Sequence, residues 1–311
     1  MRILLAGPRG FCAGVNMAIE SLRLAIRHYG TPVYVYHEIV HNRWVVEHFR
    51  RQGVVFVDDL ADVPEEATLL FSAHGVAPDV RKTATRRRLS VIDATCPLVT
   101  KVHNEAVRFA RKGYTIVLIG HAGHDEVSGT MGEAPEAIVP VQTVEDVDRL
   151  EVSDPRKLAY LTQTTISVDD ARRVIDRLRQ RFPGIVGPKK EDICYATSNR
   201  QEAVRTLAGE ADLVLVVGSR NSSNSRRLAE LAVAVGVPAY LVDGPQDIKL
   251  DWFSGVQTVA ITAGASAPET VVEQCVAFLQ EQFDAVVESR AICRERVRFA
   301  LPKPLRTMTK D

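Results

Sequence analysis

Arg2-Ile-Leu-Leu-Ala-Gly7-Pro-Arg-Gly-Phe-Cys12 carries the chain from an apolar, strand-like run through a Gly/Pro turn to a cysteine, and an amphipathic helical pattern follows at once. The same setting is read at Val91-Ile-Asp-Ala-Thr-Cys96-Pro and at Glu191-Asp-Ile-Cys194-Tyr-Ala-Thr-Ser. Three thiols at near-thirds of the chain, each between a strand and a helix, can meet on a common axis if the three units are alike. Three protein ligands leave one position open on a metal or cluster that takes four. The spacing therefore predicts a shared metal or cluster site with one position left for chemistry.

Outward from the cysteines, short apolar runs alternate with helical patterns. The helix expected over 14–29 places Val15, Ala18, Ile19, Leu22, Ala25 and Ile26 on one face, with Gly30 as its stop. Further helices are expected over 98–112, 167–182, 198–209, 225–235 and 268–283. Strands are expected at Val33–Tyr36, Val54–Val57, Leu69–Phe71, Thr115–Ile119, Leu158–Leu161, Leu213–Val217, Tyr240–Val242 and Val259–Ile261. Continuous apolar strands between helices predict an α/β fold of mostly parallel sheets covered on both faces. With the cysteines as punctuation, the units are 14–96, 97–193, and 194–281 together with 1–13. A C-terminal segment over 282–311 follows, its end from Thr307 expected to be disordered.

Composition narrows the function classes. Apolar residues make up 46% and charged residues 25%, and 39 basic residues balance 39 acidic ones. A zero net charge argues against a nucleic-acid protein and leaves room for a local anion site. The first apolar run is too short for secretion or for a membrane span, so the chain is expected to be cytoplasmic with no targeting segment. Five cysteines in a long chain do not make a disulfide framework.

The loops after the strands carry the remaining signal. Ser72-Ala-His74-Gly75, Gly120-His121-Ala-Gly123-His124-Asp-Glu126, Thr162-Gln163-Thr164-Thr165, Gly218-Ser219-Arg-Asn221-Ser222-Ser223-Asn224-Ser225 and Thr262-Ala-Gly264-Ala-Ser266 present small, hydroxyl, amide or imidazole groups just before helices. Ligands sit at the carboxyl ends of parallel strands. Backbone N–H groups and a helix N-terminus there make an anion cradle. No G-x-x-x-x-G-K-[ST] occurs, and Gly7, Gly10 and Gly14 have the wrong spacing for G-x-G-x-x-G. Nicotinamide or nucleoside triphosphate binding therefore has little direct support, and an isoprenoid, sugar or other small phosphoester fits as well.

Blander readings stand beside these. A lone cysteine is more often a small buried hydrophobe. Cys275, on a helix face with Val271, Val272, Phe278 and Leu279, fits that, and Cys293 has no partner motif. His28, His37, His48 and His103 lie within strand or helix patterns, whereas His41, His74 and His124 sit in polar loops. Helix capping accounts for one of Ser222, Ser223 and Asn224 but not for all three. A lone Glu126 is more often a solvated charge, yet at a strand end it can relay protons. Zinc and an iron–sulfur cubane both suit three thiolates, and spacing does not choose between them.

Nine motifs in order resemble one family: Gly7-Pro-Arg-Gly-Phe-Cys12-Ala-Gly-Val, Glu38-Ile-Val-His41-Asn, Ser72-Ala-His74-Gly-Val, Asp93-Ala-Thr-Cys96-Pro, Gly120-His-Ala-Gly-His124-Asp-Glu126, Thr162-Gln-Thr164-Thr165, Ile193-Cys194-Tyr-Ala-Thr, Gly218-Ser-Arg-Asn-Ser222-Ser223-Asn224-Ser and Thr262-Ala-Gly-Ala-Ser266. Together they resemble the 4-hydroxy-3-methylbut-2-enyl diphosphate reductase (LytB) family, from residue 1 to about 300, with no departure at the matched positions. The resemblance implies a bacterial enzyme of the last step of the non-mevalonate isoprenoid pathway. It also implies a pseudo-threefold trefoil of three α/β units around a [4Fe–4S] cluster. Cys12, Cys96 and Cys194 would be the ligands, and the open iron would take the substrate's allylic hydroxyl oxygen. His41, His74, Ser222, Ser223, Asn224 and Ser266 would hold the diphosphate, with His124 as a further donor. Thr164 would hydrogen-bond the hydroxyl, and Glu126 would deliver protons through His124 or the substrate. Reduced flavodoxin or ferredoxin would supply electrons, and neither nucleic acid nor membrane is an expected partner. Two other readings use the same residues: a zinc-dependent hydrolase or lyase of a phosphoester, and a non-catalytic phospholigand sensor. Metal analysis with a redox assay separates the reductase from the zinc enzyme, and the sensor would bind diphosphates yet turn nothing over with a strong reductant.

Overall fold

A computed structural model describes residues Met1–Arg306; the end expected to be disordered, from Thr307, lies outside the described residues. In chain order the elements are β1 (Arg2–Gly7), α1 (Ala13–Tyr29), β2 (Val33–Tyr36), α2 (Arg43–Arg50), β3 (Val54–Val57), β4 (Thr68–Phe71), α3 (Pro78–Arg86), β5 (Ser90–Asp93), α4 (Pro97–Arg111), β6 (Thr115–Ile119), α5 (Asp125–Glu133) and β7 (Ile138–Val141). There follow α6 (Val144–Arg149), β8 (Leu158–Thr162), α7 (Val168–Arg181), α8 (Tyr195–Ala208), β9 (Leu213–Val217), α9 (Ser223–Ala234), β10 (Ala239–Val242), β11 (Thr258–Ala263), α10 (Glu269–Phe283) and β12 (Val286–Ala291). The chain divides into two compact units. One comprises Met1–Asn16, Val40–Phe49 and Tyr195–Arg298; the other comprises Met17–Ile39, Arg50–Cys194 and the segment from Phe299.

The first unit holds a five-stranded parallel sheet in the order β10-β9-β11-β1-β12. Every residue of β9 and β11 is buried, which is why Leu213–Val217 and Val259–Ile261 read as unbroken apolar runs. Successive side chains of β1 point to opposite faces. Ile3 joins Leu215, Val271, Val272, Cys275 and Leu279 in one core. Leu4 joins Val204, Leu207, Val216 and Leu228 in the other. At the edge, β12 exposes Val286 and carries Glu288 and Arg290, which ion-pair with Arg2 and Glu210 respectively. Such charges discourage pairing with a further strand.

The second unit holds a four-stranded parallel sheet, β3-β2-β4-β5, and a three-stranded one, β7-β6-β8. In the smaller sheet β6 again splits its side chains: Val117 and Ile119 face Val174 and Leu178, while Ile116 and Leu118 face Val102 and Ala106. Among the described residues no helix is long and apolar enough to cross a membrane.

Three local expectations are corrected. Helix α8 begins at Tyr195, three residues before the expected start, because Ser198 and Gln201 only imitate a capping box. Helix α9 begins at Ser223, with Ser222 as its N-cap. Helices α2, α3, α5 and α6 run six to nine residues, too few turns for hydrophobic periodicity to register.

Candidate active site

The three cysteines share one backbone arrangement. Each N–H donates to a carbonyl two residues beyond the end of a strand: Cys12 to Ala265 after β11 (3.2 Å), Cys96 to Ala73 after β4 (3.0 Å), and Cys194 to Thr164 after β8 (3.0 Å). Each cysteine then opens a helix, α1, α4 or α8. All three are half-buried, and no cysteine is in a disulfide. Cys275 differs from them: burial among apolar side chains pushes its thiol up to about 12.

The sequence placed a strand before Cys194, and the structure does not. Residues 187–193 form an irregular loop, and beyond β8 only the single bridge between Ala159 and Val186 continues the pairing. The run Lys189-Lys190-Glu191 is too charged to be a buried strand. A side chain stands in for it: Asp192 Oδ2 accepts the Thr162 N–H (3.0 Å), a group that a neighbouring strand would otherwise take. Asp192 is buried, and that desolvation, the largest cause, raises its carboxyl above the usual range.

In the first unit, one cluster gathers His41, Ser222, Ser223, Asn224 and Ser266. Ser222 caps α9 by accepting the Ser225 N–H (3.3 Å), and Ser225 Oγ lies 3.0 Å from Ser222 Oγ. Ser266 Oγ donates to the His41 carbonyl (2.9 Å) and lies 3.4 Å from Ser222 Oγ. Both polar atoms of the Asn224 amide are buried without a hydrogen-bond partner, and the residue is only 4% exposed. An orphaned buried amide costs about 1–3 kcal/mol. Asn224 lies in the first turn of a 12-residue helix, whose positive end suits an anion.

In the second unit, His124 caps α5: its Nδ1 accepts the Glu126 N–H (3.1 Å). An Nδ1 that accepts from a backbone amide carries no proton in that bond, so the ring's hydrogen resides on Nε2 as a donor. The His124 and His74 rings meet edge-on, with centroids 5.8 Å apart. Glu126 is 2% exposed. Its Oε1 accepts the Thr164 N–H (2.6 Å) and its Oε2 accepts the Thr164 hydroxyl (2.9 Å). Thr164 thus joins a buried carboxylate to the loop that docks Cys194.

Asp125, between His124 and Glu126, was assigned no role from sequence. Its Oδ1 bonds His37 Nδ1 (2.8 Å), and its Oδ2 lies 4.0 Å from His74 Nδ1. The bond to Asp125 is the main cause that raises the His37 pKa, against the lowering by burial. His37 takes a left-handed φ of 56° to make this contact, which no strand pattern announces. Arg200 was also missed. Fully buried on α8, it donates to the Gly10 carbonyl (2.7 Å) and pairs with Glu295 (2.9 Å).

Comparisons with known proteins bear on the family. Residues 3–280 match the family model described as LytB protein. A 4-hydroxy-3-methylbut-2-enyl diphosphate reductase of Rhodopirellula baltica is 62% identical, covering 100% of this chain and 98% of that protein. The protein of the same name from Azotobacter vinelandii is 55% identical over the full length of both. The solved structure of the E-1-hydroxy-2-methyl-but-2-enyl-4-diphosphate reductase from Plasmodium falciparum superposes with a TM-score of 0.96 at 38% identity, covering 99% of this chain and 97% of that one. A second solved reductase, described as the terminal enzyme of the non-mevalonate pathway, gives a TM-score of 0.63 at 32% identity, covering 90% of this chain and 100% of that one. With its motifs, its three parallel sheets and full-length relatives in agreement, the chain belongs to the LytB protein family.

Proposed function

We infer that this chain is an oxidoreductase that reductively dehydroxylates 4-hydroxy-3-methylbut-2-enyl diphosphate to isopentenyl diphosphate and dimethylallyl diphosphate. The observation that carries the chemistry is the buried Glu126–Thr164 pair, a proton source beside the loop that docks Cys194. The reaction takes up two electrons and two protons, breaks the allylic C–O bond and releases the oxygen as water. Its one added C–H bond forms at either end of the allyl system, which accounts for two products.

The donor set fits an iron–sulfur cluster: three half-buried thiols, none in a disulfide, each opening a helix. Held by Cys12, Cys96 and Cys194, a [4Fe–4S] cluster would supply single electrons and a Lewis-acidic iron with one open position. Reduced flavodoxin or ferredoxin is the electron source.

The chain's own residues do the rest. Asn224 offers a buried amide to the diphosphate, Ser222 and Ser223 supply hydroxyls at the head of α9, and Ser266 and His41 complete that group. His124 presents its Nε2–H, and His74 lies at its edge. The Thr164 hydroxyl donates to Glu126 and keeps its lone pairs for the substrate's O–H. Once Glu126 takes a proton, the same hydroxyl can pass one on as the C–O bond breaks, since hydroxide leaves poorly unless protonated.

The test is anaerobic turnover of the hydroxylated diphosphate with a chemical reductant, with iron and sulfide counted on the same sample. Near four of each per chain are expected, lost in air. Colourless protein, fully active with zinc alone, would overturn the reading.

A further inference from the structure

Lys101 lies on α4, five residues beyond Cys96, and its ammonium reaches three acceptors in another loop. These are the carbonyls of Lys190 and Glu191 (2.9 Å to the latter) and Oδ1 of Asp192 (2.7 Å). An ammonium has three donors, and here each has an acceptor in residues 190–192. The Asp192 side chain is fully buried, and its second oxygen holds the end of β8. Cys194 follows two residues later, docked on the Thr164 carbonyl. Cys12 and Cys96 each follow a strand of their sheet, β1 and β5; Cys194 has none, so nothing in the sheet ladder fixes its approach.

We propose that Lys101 and Asp192 are positioning residues for Cys194, setting its place relative to Cys96 before any metal is bound. The proposal rests on the reading of these cysteines as ligands of one cluster. Arg200 repeats the device one step round: it stands on α8, six residues after Cys194, and holds the Gly10 carbonyl two residues before Cys12. In both cases the helix behind one cysteine secures the loop in front of another.

The test uses the full chain with Lys101→Met and Asp192→Asn, the latter keeping an oxygen for the Thr162 N–H. The metal-free proteins are pulsed anaerobically with iodoacetamide, and labelling of each cysteine is read by peptide mass spectrometry. In both variants Cys194 should label about tenfold faster than in the wild type, because its loop opens locally. Cys275, buried and 0% exposed, should stay unlabelled and so report an intact fold. A Cys194 rate within twofold of the wild type, or a rise shared with Cys275, overturns the proposal. On iron-loaded protein, release to a ferrous chelator should quicken about tenfold, the scale typical of residues that orient metal ligands. The double variant should release iron no faster than either single one, since the pair acts as a unit. If wild-type chain holds no iron, the cluster reading fails, and the labelling still decides the role of Lys101.

Discussion

Glu126 and Thr164 are bound twice over: one carboxylate oxygen takes the threonine's backbone N–H at 2.6 Å and the other takes its hydroxyl at 2.9 Å, with both residues buried. A bidentate hold of this kind keeps the carboxylate in one orientation.

Glu126→Gln removes the exchangeable proton and leaves the shape. Turnover should fall by about 10²–10⁴, the usual worth of a positioned proton donor. KM and iron content should stay near wild type. Steady-state kinetics beside iron analysis check this, and an unchanged kcat would remove Glu126 from the mechanism.

Asn224→Ala separates binding from stability. The amide has no partner in the free protein, so alanine, a better helix former, should leave the metal-free melting temperature unchanged or raise it. KM should rise by about 10–100-fold through loss of a hydrogen bond to a charged group. A destabilised variant with normal KM would mean that the amide serves the fold instead.

The pair His37–Asp125 predicts a pH dependence. The pKa of His37 is raised in the folded chain, chiefly by its bond to Asp125, above its ordinary 6.5. Its contribution to stability is therefore complete below about pH 6.5 and is lost as pH climbs through the raised value. Denaturant unfolding of metal-free wild type and His37→Gln across pH 5.5–8.5 reads it as a difference. The two curves should converge at the alkaline end; parallel curves would count against it.

Arg200→Met breaks a buried ion pair and strands Glu295. A loss of about 3–5 kcal/mol is expected in urea unfolding, with Glu295→Gln costing less because the guanidinium keeps its carbonyl acceptors. A loss under about 1 kcal/mol would show that the pair is only decoration.

Much of the fold is legible in the sequence because β9 and β11 are buried on both faces and so read as plain apolar runs. The loops of Cys12 and Cys96 are legible because each follows a strand, β1 or β5. The strand expected before Cys194 is absent because a single aspartate replaces its hydrogen bonds, and one carboxylate has no period to detect. Lys101, Arg200 and Asp125 stayed hidden in the same way. Each is an ordinary charged residue on a helix, and its role depends on a partner far away in sequence, as for Asp125 with His37. Short helices such as α5 escaped because a capping histidine and two turns carry no periodic signal.

Strand β1 lies between β11 and β12, with Arg2 opposite both Thr258 and Val286. During synthesis it leaves the ribosome about 250 residues ahead of both neighbours. At ~5–20 residues per second, that is a wait of roughly 15–60 s. Through that interval Ile3, Leu4 and Leu5 have no sheet to join. Cys12 is thus docked only once Ala265, far later in the chain, has been made, and a nonsense mutation before that point deprives an early cysteine of its backbone acceptor.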